Sequence, residues 1–403
     1  MRPDATPDPS TRRPWTLRLA LLVLAHMVGT LHIATMLAMS PLIATDLSLS
    51  ATEVGLLMTA YNATKAAGAL ITGSITDRLG IGFSLLTAHL ILALGAAAIA
   101  AADSYAQVIV GMLFMGAGYC FINPATAKGV MAWFPQDRRA TAMSAKQTGV
   151  PLGGFVGAFA LALAGVIDWR DVMWIVVAVT LANGAVATIG ADRPRWRRTA
   201  AERSQGGALA LMRNRRLAAI NVSGATYNLA QQSFSTYLPL FLREGVLLSQ
   251  SLTSIVLGAT QIAAVAARLG LGAVADRWFR TSRTLLLALM GFAGAGAILA
   301  LAIAGPAAGL LAALPLAILV GCSVVAYSGI TLTAVVESVS PQQAGAAVGG
   351  HLFLAAIGAM AGPPIFGAIV DLSGSYTGGW AMACGALVGA ATVFLLLGRR
   401  RPA

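Results

Sequence analysis

Hydrophobic positions form long apolar runs along the chain, separated by short polar stretches that contain charges, glycine and proline. A helix needs about 20 apolar residues to cross about 30 Å of hydrocarbon. Only helices and closed barrels span lipid, and runs of this length without strict alternation indicate helices. The pattern predicts twelve membrane-spanning helices, near 17–44, 53–73, 83–102, 106–128, 141–166, 171–190, 217–242, 251–274, 283–304, 308–336, 343–370 and 377–398.

Composition agrees with this pattern. The chain has 403 residues, of which 57% are hydrophobic and 10% are charged, whereas a soluble domain carries about 25% charged residues. The first run is too long for the core of a cleaved signal peptide, so it is predicted to be the first span. The three cysteines lie inside apolar runs without metal-ligand spacing. We therefore expect a multi-pass protein of the cell membrane, with no metal and no cofactor.

Basic residues predict the orientation of the spans. If both termini are cytoplasmic, all of the 27 Lys and Arg residues except Lys65, Arg170 and Arg243 lie in cytoplasmic loops or at cytoplasmic helix ends. Such a bias determines topology in membrane proteins. The formal charge of +12 is then explained by a cytoplasmic face that lies against anionic lipid.

A polar stretch at 191–216 divides the chain into two groups of six spans. It contains eight arginines against Asp192 and Glu202. The predicted organisation is an N-terminal six-helix bundle at 1–190, a cytoplasmic linker at 191–216 and a C-terminal six-helix bundle at 217–403. A nucleic-acid-binding segment is the alternative interpretation of the linker, but we expect a topology anchor and no nucleic-acid partner.

The same charged phrase occurs once in each half. Gly73-Ser-Ile-Thr-Asp77-Arg78 precedes Gly80, and Gly272-Ala-Val-Ala-Asp276-Arg277 follows 199 positions later. Both copies fall at the predicted cytoplasmic turn after the second span of their half. Two six-span halves related by internal duplication are typical of transporters, and the substrate is then expected near the midplane between them.

With these motifs the chain resembles the major facilitator superfamily. The resemblance implies an all-α membrane protein of twelve helices in two pseudo-symmetric six-helix bundles, working as a monomer by alternating access. It also implies a conformational latch, in which the glycine lets helix two pack on helix eleven and the aspartate is stabilised by a helix dipole. The corresponding residues here are Gly73, Asp77, Arg78, Gly80, Gly272, Asp276 and Arg277. The chain departs from the family at 81–84, where Ile-Gly-Phe-Ser replaces the family's basic residues.

Two cations lie deep inside predicted spans. Lys65 precedes Asp77 by 12 residues and Arg268 precedes Asp276 by 8, which places them about 18 Å and about 12 Å from the turns. No acid lies as deep, since Glu337 is near the end of its span. Buried cations without carboxylates are unfavourable unless an anion visits them, which predicts a small anionic substrate. Snorkelling or backbone hydrogen bonds for Lys65, and helix bracing for Arg268, are the alternatives.

The resemblance supports the anion interpretation. Nitrate porters and oxalate or monocarboxylate carriers of this superfamily place substrate-binding cations on helix two, helix eight or both. It also implies that His32 and His351 border the cavity, where a histidine could carry a proton. Further polar side chains at cavity depth complete the predicted substrate-binding set; they are Tyr61, Asn123, Gln147, Asn228, Gln231 and Tyr327. Helix packing is the alternative role for all of these polar residues.

The predicted function is secondary transport of a small organic or inorganic anion, coupled to protons or driven by exchange. A drug or metabolite efflux antiporter is the alternative. Cationic-drug exporters need a buried acid, which this sequence lacks. The arginine that such exporters carry in helix four is also absent, because Gly111 and Met112 occupy its place. An enzyme is not expected, because the apolar segments contain no paired acids, HExxH, GxSxG or phosphate loop. A transporter-like receptor without flux stays open.

Overall fold

The computed structural model describes residues 13–135, 138–189, 214–279, 282–340 and 343–399. These residues are helical almost throughout. Most of the predicted linker, at 191–213, lies outside them, so the division of the chain at this segment stays a prediction.

The first half of the chain forms helices α1 to α9. Their bounds are α1 (Arg13–Asp46), α2 (Ala51–Leu79), α3 (Ile81–Ala100), α4 (Tyr105–Tyr119), α5 (Ile122–Trp133), α6 (Arg139–Gln147), α7 (Gly149–Ala158), α8 (Ala160–Leu163) and α9 (Trp169–Ile189). The α4–α5 pair and the α6–α8 series each follow one predicted span with interruptions.

The second half of the chain forms helices α10 to α16. Their bounds are α10 (Arg215–Leu240), α11 (Gln250–Trp278), α12 (Arg283–Ala308), α13 (Leu310–Val320), α14 (Ser328–Val336), α15 (Ala344–Ser373) and α16 (Tyr376–Arg399). A π-helical turn at Gly321–Val325 connects α13 and α14 within one predicted span.

Each of the twelve predicted spans corresponds to one of these helices or interrupted helix series. Among the described residues, nine candidates are long and apolar enough to cross a membrane. The predicted spans without such a candidate correspond to α2, the α6–α8 series and α10. Helix α2 carries Lys65, the α6–α8 series is fragmented, and α10 carries several polar side chains. These features lower apolarity or continuity where the two halves face each other.

Local sequence accounts for the ends of α2. Ser50 and Glu53 form a reciprocal capping box at its first turn, which satisfies two backbone donors that a helix start leaves free. At the other end Gly80 has a φ of +79°, a conformation that a side chain disfavours. This glycine allows α3 to begin immediately after α2.

Each half has its own hydrophobic core. One core consists of buried residues between Leu22 and Ala187, and the other of buried residues between Leu217 and Phe394. Two separate cores are what a pair of bundles requires, because each bundle must bury its apolar faces independently of the other. The predicted pair of helical bundles is therefore observed.

The two halves touch at one end of the molecule. A small apolar cluster there joins Ala44 and Val54 of the first half to Leu240 of the second. A side chain at Gly55 would lie 2.6 Å from the backbone of Pro363, so glycine is needed for this approach. We call this end the Asp371 end, after a residue described below.

The opposite end carries Asp77 and Asp276, and we call it the motif end. A Cβ atom placed on Gly73 of α2 or on Gly349 of α15 would have no neighbour within 4 Å. Helices α2 and α15, which pack closely at the Asp371 end, therefore leave these two positions open. The molecule is closed at the Asp371 end and open at the motif end.

Candidate functional site

A cavity of about 700 Å³ lies between the two halves and reaches toward the motif end. Gln147 and Pro151 line it from the first half, whereas Arg268, Asp276 and Arg283 line it from the second. Asp276 is paired with Arg283, whose Nη2 lies 2.7 Å from the carboxylate. The only acid in this lining is thus neutralised, while Arg268 has no acidic partner among the described residues.

Arg268 is held in place without using all of its donors. Its Nη2 donates to the carbonyl oxygen of Val325 at 3.1 Å. Val325 ends the π-helical turn, and such turns free carbonyls from the regular helical ladder. The buried Nε of Arg268 has no hydrogen-bond partner in the described part of the chain. A guanidinium carries five N–H donors, so Arg268 keeps capacity for an anion.

Lys65 lies on α2 beside two aromatic rings. Its Nζ is 5.0 Å from the ring centre of Tyr61 and 5.9 Å from that of Tyr119, within the range of cation–π attraction. It makes no hydrogen bond or ion pair with any other described residue. Lys65 therefore does not use the backbone carbonyls invoked by the alternative interpretation, and its ammonium donors are free.

Tyr119 lies beside Lys65 and near Arg268, and it was missed by the sequence analysis. It is the last residue of α4, at the interruption before α5, and its ring centre lies 6.3 Å from that of Tyr61. It also interacts electrostatically with Arg268 of the other half. The internal duplication that pairs Lys65 with Arg268 also pairs the interrupted fourth span with the interrupted tenth span. Because Tyr327 lies at the interruption of the tenth span, the same duplication points to Tyr119 in the fourth.

The site is thus pseudo-symmetric. The first half contributes Lys65 and Tyr119, and the second contributes Arg268 and Tyr327. Tyr327 interacts electrostatically with Arg268, and its ring stacks on Tyr227 at 4.2 Å between centres. Two cations flanked by aromatic rings, with no acidic partner among the described residues, form an environment suited to a small anion.

The other predicted polar residues divide into two groups. Gln147 lines the cavity, and the side chains of Gln147 and Gln231 make no hydrogen bond within the described residues. Asn228 instead donates to the carbonyl of Ala355 at 2.8 Å. Asn123 is exposed and does not line this cavity.

The two predicted histidines lie inside their own halves. His32 is fully buried, with Nδ1 2.8 Å from the Val28 carbonyl and Nε2 2.8 Å from the Thr180 hydroxyl. His351 places Nδ1 3.1 Å from the amide oxygen of Asn221. Neither histidine lines the cavity, and these contacts are those of helix-packing residues.

The motif residues form charge contacts within each half. Asp77 pairs with Lys128 at 3.1 Å, and Lys128 also donates to the Thr76 carbonyl. In the second half Arg283 lies between Asp276 and Glu337, at 2.7 Å and 3.4 Å. Arg78 and Arg277 are exposed. The expected packing of Gly73 on the eleventh span is absent in this conformation, because the halves are apart at that end. Gly272 instead lines the open cavity.

Asp371, near the end of α15, was also missed. Its carboxylate accepts hydrogen bonds from the backbone N–H groups of Ala51 and Thr52, at 2.9 Å and 2.8 Å, and from the Thr52 hydroxyl. The Tyr237 hydroxyl reinforces the contact, since its oxygen lies 2.7 Å from the Ala51 carbonyl and 2.8 Å from the Pro363 carbonyl and its one hydrogen is available to either. These bonds link the two halves and close this end.

Known proteins resemble this chain in sequence and in fold. The family model of the Major Facilitator Superfamily matches residues 21–354. The chain belongs to the Major Facilitator Superfamily. The resemblance stated from the motifs is thereby confirmed, as are the helical membrane fold of this superfamily and the expectation of a carrier and not an enzyme. The protein is a multi-pass membrane transporter.

Curated relatives and solved structures extend the comparison. A hexuronate transporter of Bacillus subtilis (strain 168) is 25% identical over 91% of this chain and 90% of its own length. An MFS-type transporter of Mycobacterium tuberculosis is 30% identical over 72% of this chain and 64% of its own. The nucleoside transporter NupG superposes with a TM-score of 0.81 at 16% identity, over 94% and 99% of the two chains.

A bacterial homologue of the human lysosomal transporter Spinster, in an inward-facing and unoccupied conformation, superposes with a TM-score of 0.77 at 17% identity. The match covers 96% of this chain and 98% of the other. At these identities the two structural neighbours show the superfamily fold alone.

Proposed function

We infer that this superfamily member transports a small organic anion by alternating access, with Lys65 and Arg268 as its anion-binding pair. One observation carries the proposal. Lys65 of the first half lies against the ring of Tyr119 and Arg268 of the second half lies near the same residue, and neither cation has an acidic partner in the described residues. An anion between them would satisfy free donors on both halves, with charge-assisted hydrogen bonds of about 1.5–3 kcal/mol each.

The substrate would couple binding to movement. Without an anion, repulsion between Lys65 and Arg268 opposes the approach of the two halves around the site. With an anion bound, closure is favoured by contacts that only the closed arrangement completes. The conformation open at the motif end is then the state in which an anion enters from, or leaves to, the side of the motif loops.

The Bacillus subtilis relative supports an organic substrate, because a hexuronate is a carboxylate. Sugar acids are therefore the first compounds to test. Transport is driven by protons or by exchange, and both termini face the cytoplasm, so that the described state is inward-open. His32 and His351 stay predictions for the proton carrier, although their packing contacts favour structural roles.

The test is uptake into proteoliposomes that contain purified protein. Lys65→Ala and Arg268→Ala should each abolish uptake of the anion while leaving folded, monodisperse protein. Arg243→Ala is the matched control, because Arg243 donates to the Leu248 carbonyl and does not line the cavity. Wild-type rates in either the Lys65 or the Arg268 variant would make that cation structural. Uptake of an uncharged or cationic compound instead would favour the efflux-antiporter alternative.

Label exchange separates the remaining possibilities. In counterflow, external labelled substrate accumulates against unlabelled substrate inside the vesicle without any imposed gradient of protons. A carrier shows counterflow, whereas a receptor that binds without flux does not. If an imposed pH gradient then raises accumulation beyond counterflow, the transport is coupled to protons.

A further inference from the structure

A second, smaller cavity lies beyond Arg268 toward the Asp371 end. Its volume is about 50 Å³, and it is bounded by α1 and α7 of the first half and α10 and α11 of the second. Val325, whose carbonyl holds Arg268, contributes to its lining. The hydrogen bond between Arg268 and Val325 therefore joins the lining of the large cavity to the lining of this chamber.

Gln261 supplies the chamber with an unused amide. It lies on α11 seven residues before Arg268, which places both on one face of the helix, about 10 Å apart along its axis. Its side chain forms no hydrogen bond with any other described residue. An amide offers both donors and an acceptor, so Gln261 can bind a hydroxyl in either direction.

Gly154 makes room for this amide. A Cβ atom at Gly154 would lie 2.8 Å from Cδ of Gln261, closer than such contacts occur. Gly154 belongs to α7 and Gln261 to α11, so the amide is accommodated at the contact between the two halves. Its bonding to a substrate would therefore respond to their relative movement.

The chamber is uncharged and small. Besides Gln261 its polar lining consists of Ser235 and Thr260, and the other lining residues are apolar. A volume of about 50 Å³ accommodates only a few water-sized groups, since each needs about 10–15 Å³. Its size admits a hydroxyl-bearing carbon or two but not a whole ring, and the absence of a basic side chain from its lining disfavours a second carboxylate.

We propose that Gln261 and this chamber form a distal subsite for the uncharged, hydroxyl-bearing end of the substrate. The inference rests on the proposed function, since the carboxylate at the other end would lie between Lys65 and Arg268. The transported compound is then a hydroxylated monocarboxylate several carbons long. A site built to hydrogen-bond a hydroxyl discriminates strongly against analogues that lack it, so nitrate, alkanoates and dicarboxylates are poor ligands.

The experiment measures thermal stabilisation and counterflow with gluconate, hexanoate, adipate and nitrate. Wild-type protein should prefer gluconate. Gln261→Leu should reduce the preference for gluconate over hexanoate about tenfold, as expected for one lost hydrogen bond, with hexanoate itself little changed. Gln232→Leu is the control, because that glutamine lines neither cavity. Gly154→Ala should reduce the same preference by displacing the amide.

The outcomes are distinct from those that test the anion pair. An unchanged gluconate-to-hexanoate ratio in Gln261→Leu overturns the distal subsite, even if Arg268→Ala abolishes all transport. Binding of nitrate, hexanoate or adipate in preference to gluconate by wild-type protein also overturns it and leaves the anion pair standing. Binding of no anion at all overturns both. Should Gly154→Ala fail to fold, the two glutamine variants still decide.

Discussion

The Asp371 carboxylate accepts hydrogen bonds from both the backbone N–H and the hydroxyl of Thr52, across 319 positions of sequence and between the two halves of the transporter. Thr52 lies in the first turn of α2, where backbone N–H groups lack helical partners and the helix dipole favours negative charge. A carboxylate at this position stabilises closure of the Asp371 end.

Replacing Asp371 should therefore shift the conformational equilibrium. Asp371→Asn retains the shape of the side chain but removes its charge and one acceptor. Closure of this end should therefore become less favourable by about 1–2 kcal/mol. The population open at the Asp371 end should rise about 5- to 30-fold, measurable as distances between spin labels placed on α2 and α15. Asp168→Asn serves as control, since Asp168 bonds only within its own half. Identical distance distributions in wild type and Asp371→Asn would remove Asp371 from the closing mechanism.

The register of α2 against α15 suggests what Asp77 does in the other state. The two helices are antiparallel, with Ala51 beside Asp371 and Thr59 donating to the carbonyl of Met360. Continued along both helices, this register brings Asp77 to the first turn of α15, which begins at Ala344. Asp77 would then cap α15 at the motif end much as Asp371 caps α2 here.

Asp77→Asn should accordingly slow the transport cycle more than it weakens binding. Asp77 lies outside the lining of both cavities and in this conformation is paired with Lys128, so the substrate affinity measured in detergent should stay near wild type. The turnover rate in proteoliposomes should fall, because closure of the motif end loses its carboxylate. A variant with normal turnover and lost binding contradicts the latch.

How far the sequence predicted this site depends on the kind of residue. Lys65 and Arg268 were found because a charge inside an apolar run is costly and therefore conspicuous. Tyr119 and Gln261 were not singled out, because aromatic and amide side chains are common in transmembrane helices. Their proposed roles depend on the interruption after α4 and on the approach of Gly154, neither of which follows from hydrophobic periodicity.

Asp371 illustrates a second limit. It lies near the end of its predicted span, where an acidic side chain costs little free energy and is therefore not conspicuous in the sequence. Its role depends on its distance from the start of α2, 320 residues away from Ala51. The twelve spans and the two halves, by contrast, follow from local apolarity and internal duplication, and a single sequence contains both signals.

Orientation is tested by chemical labelling. Ser204→Cys in the predicted linker and Asp103→Cys in a predicted outward loop, each in a background without the native cysteines, should react differently with an impermeant maleimide added to whole cells. Asp103→Cys should label and Ser204→Cys should label only after lysis, because basic residues favour the cytoplasmic side. Equal labelling of both positions in intact cells would invalidate the proposed topology.

Exchanging the two kinds of cation tests the geometry of the anion site. Arg268 makes one bond to the Val325 carbonyl and still has donors to spare, so a single guanidinium can hold the turn and an anion together. Arg268→Lys keeps the charge but loses the planar fork, and a lysine that bonds Val325 has fewer donors left for substrate. We expect uptake to fall at least tenfold, which corresponds to about 1.4 kcal/mol.

Lys65→Arg should be milder, because Lys65 has no backbone bond to preserve and lies against aromatic rings that accept a guanidinium well. Initial rates of anion uptake in proteoliposomes, normalised to folded protein, measure both variants. If Lys65→Arg lowers uptake more than Arg268→Lys does, the assignment of a bidentate guanidinium contact to Arg268 is wrong. The substrate then depends on the shape of the Lys65 side chain.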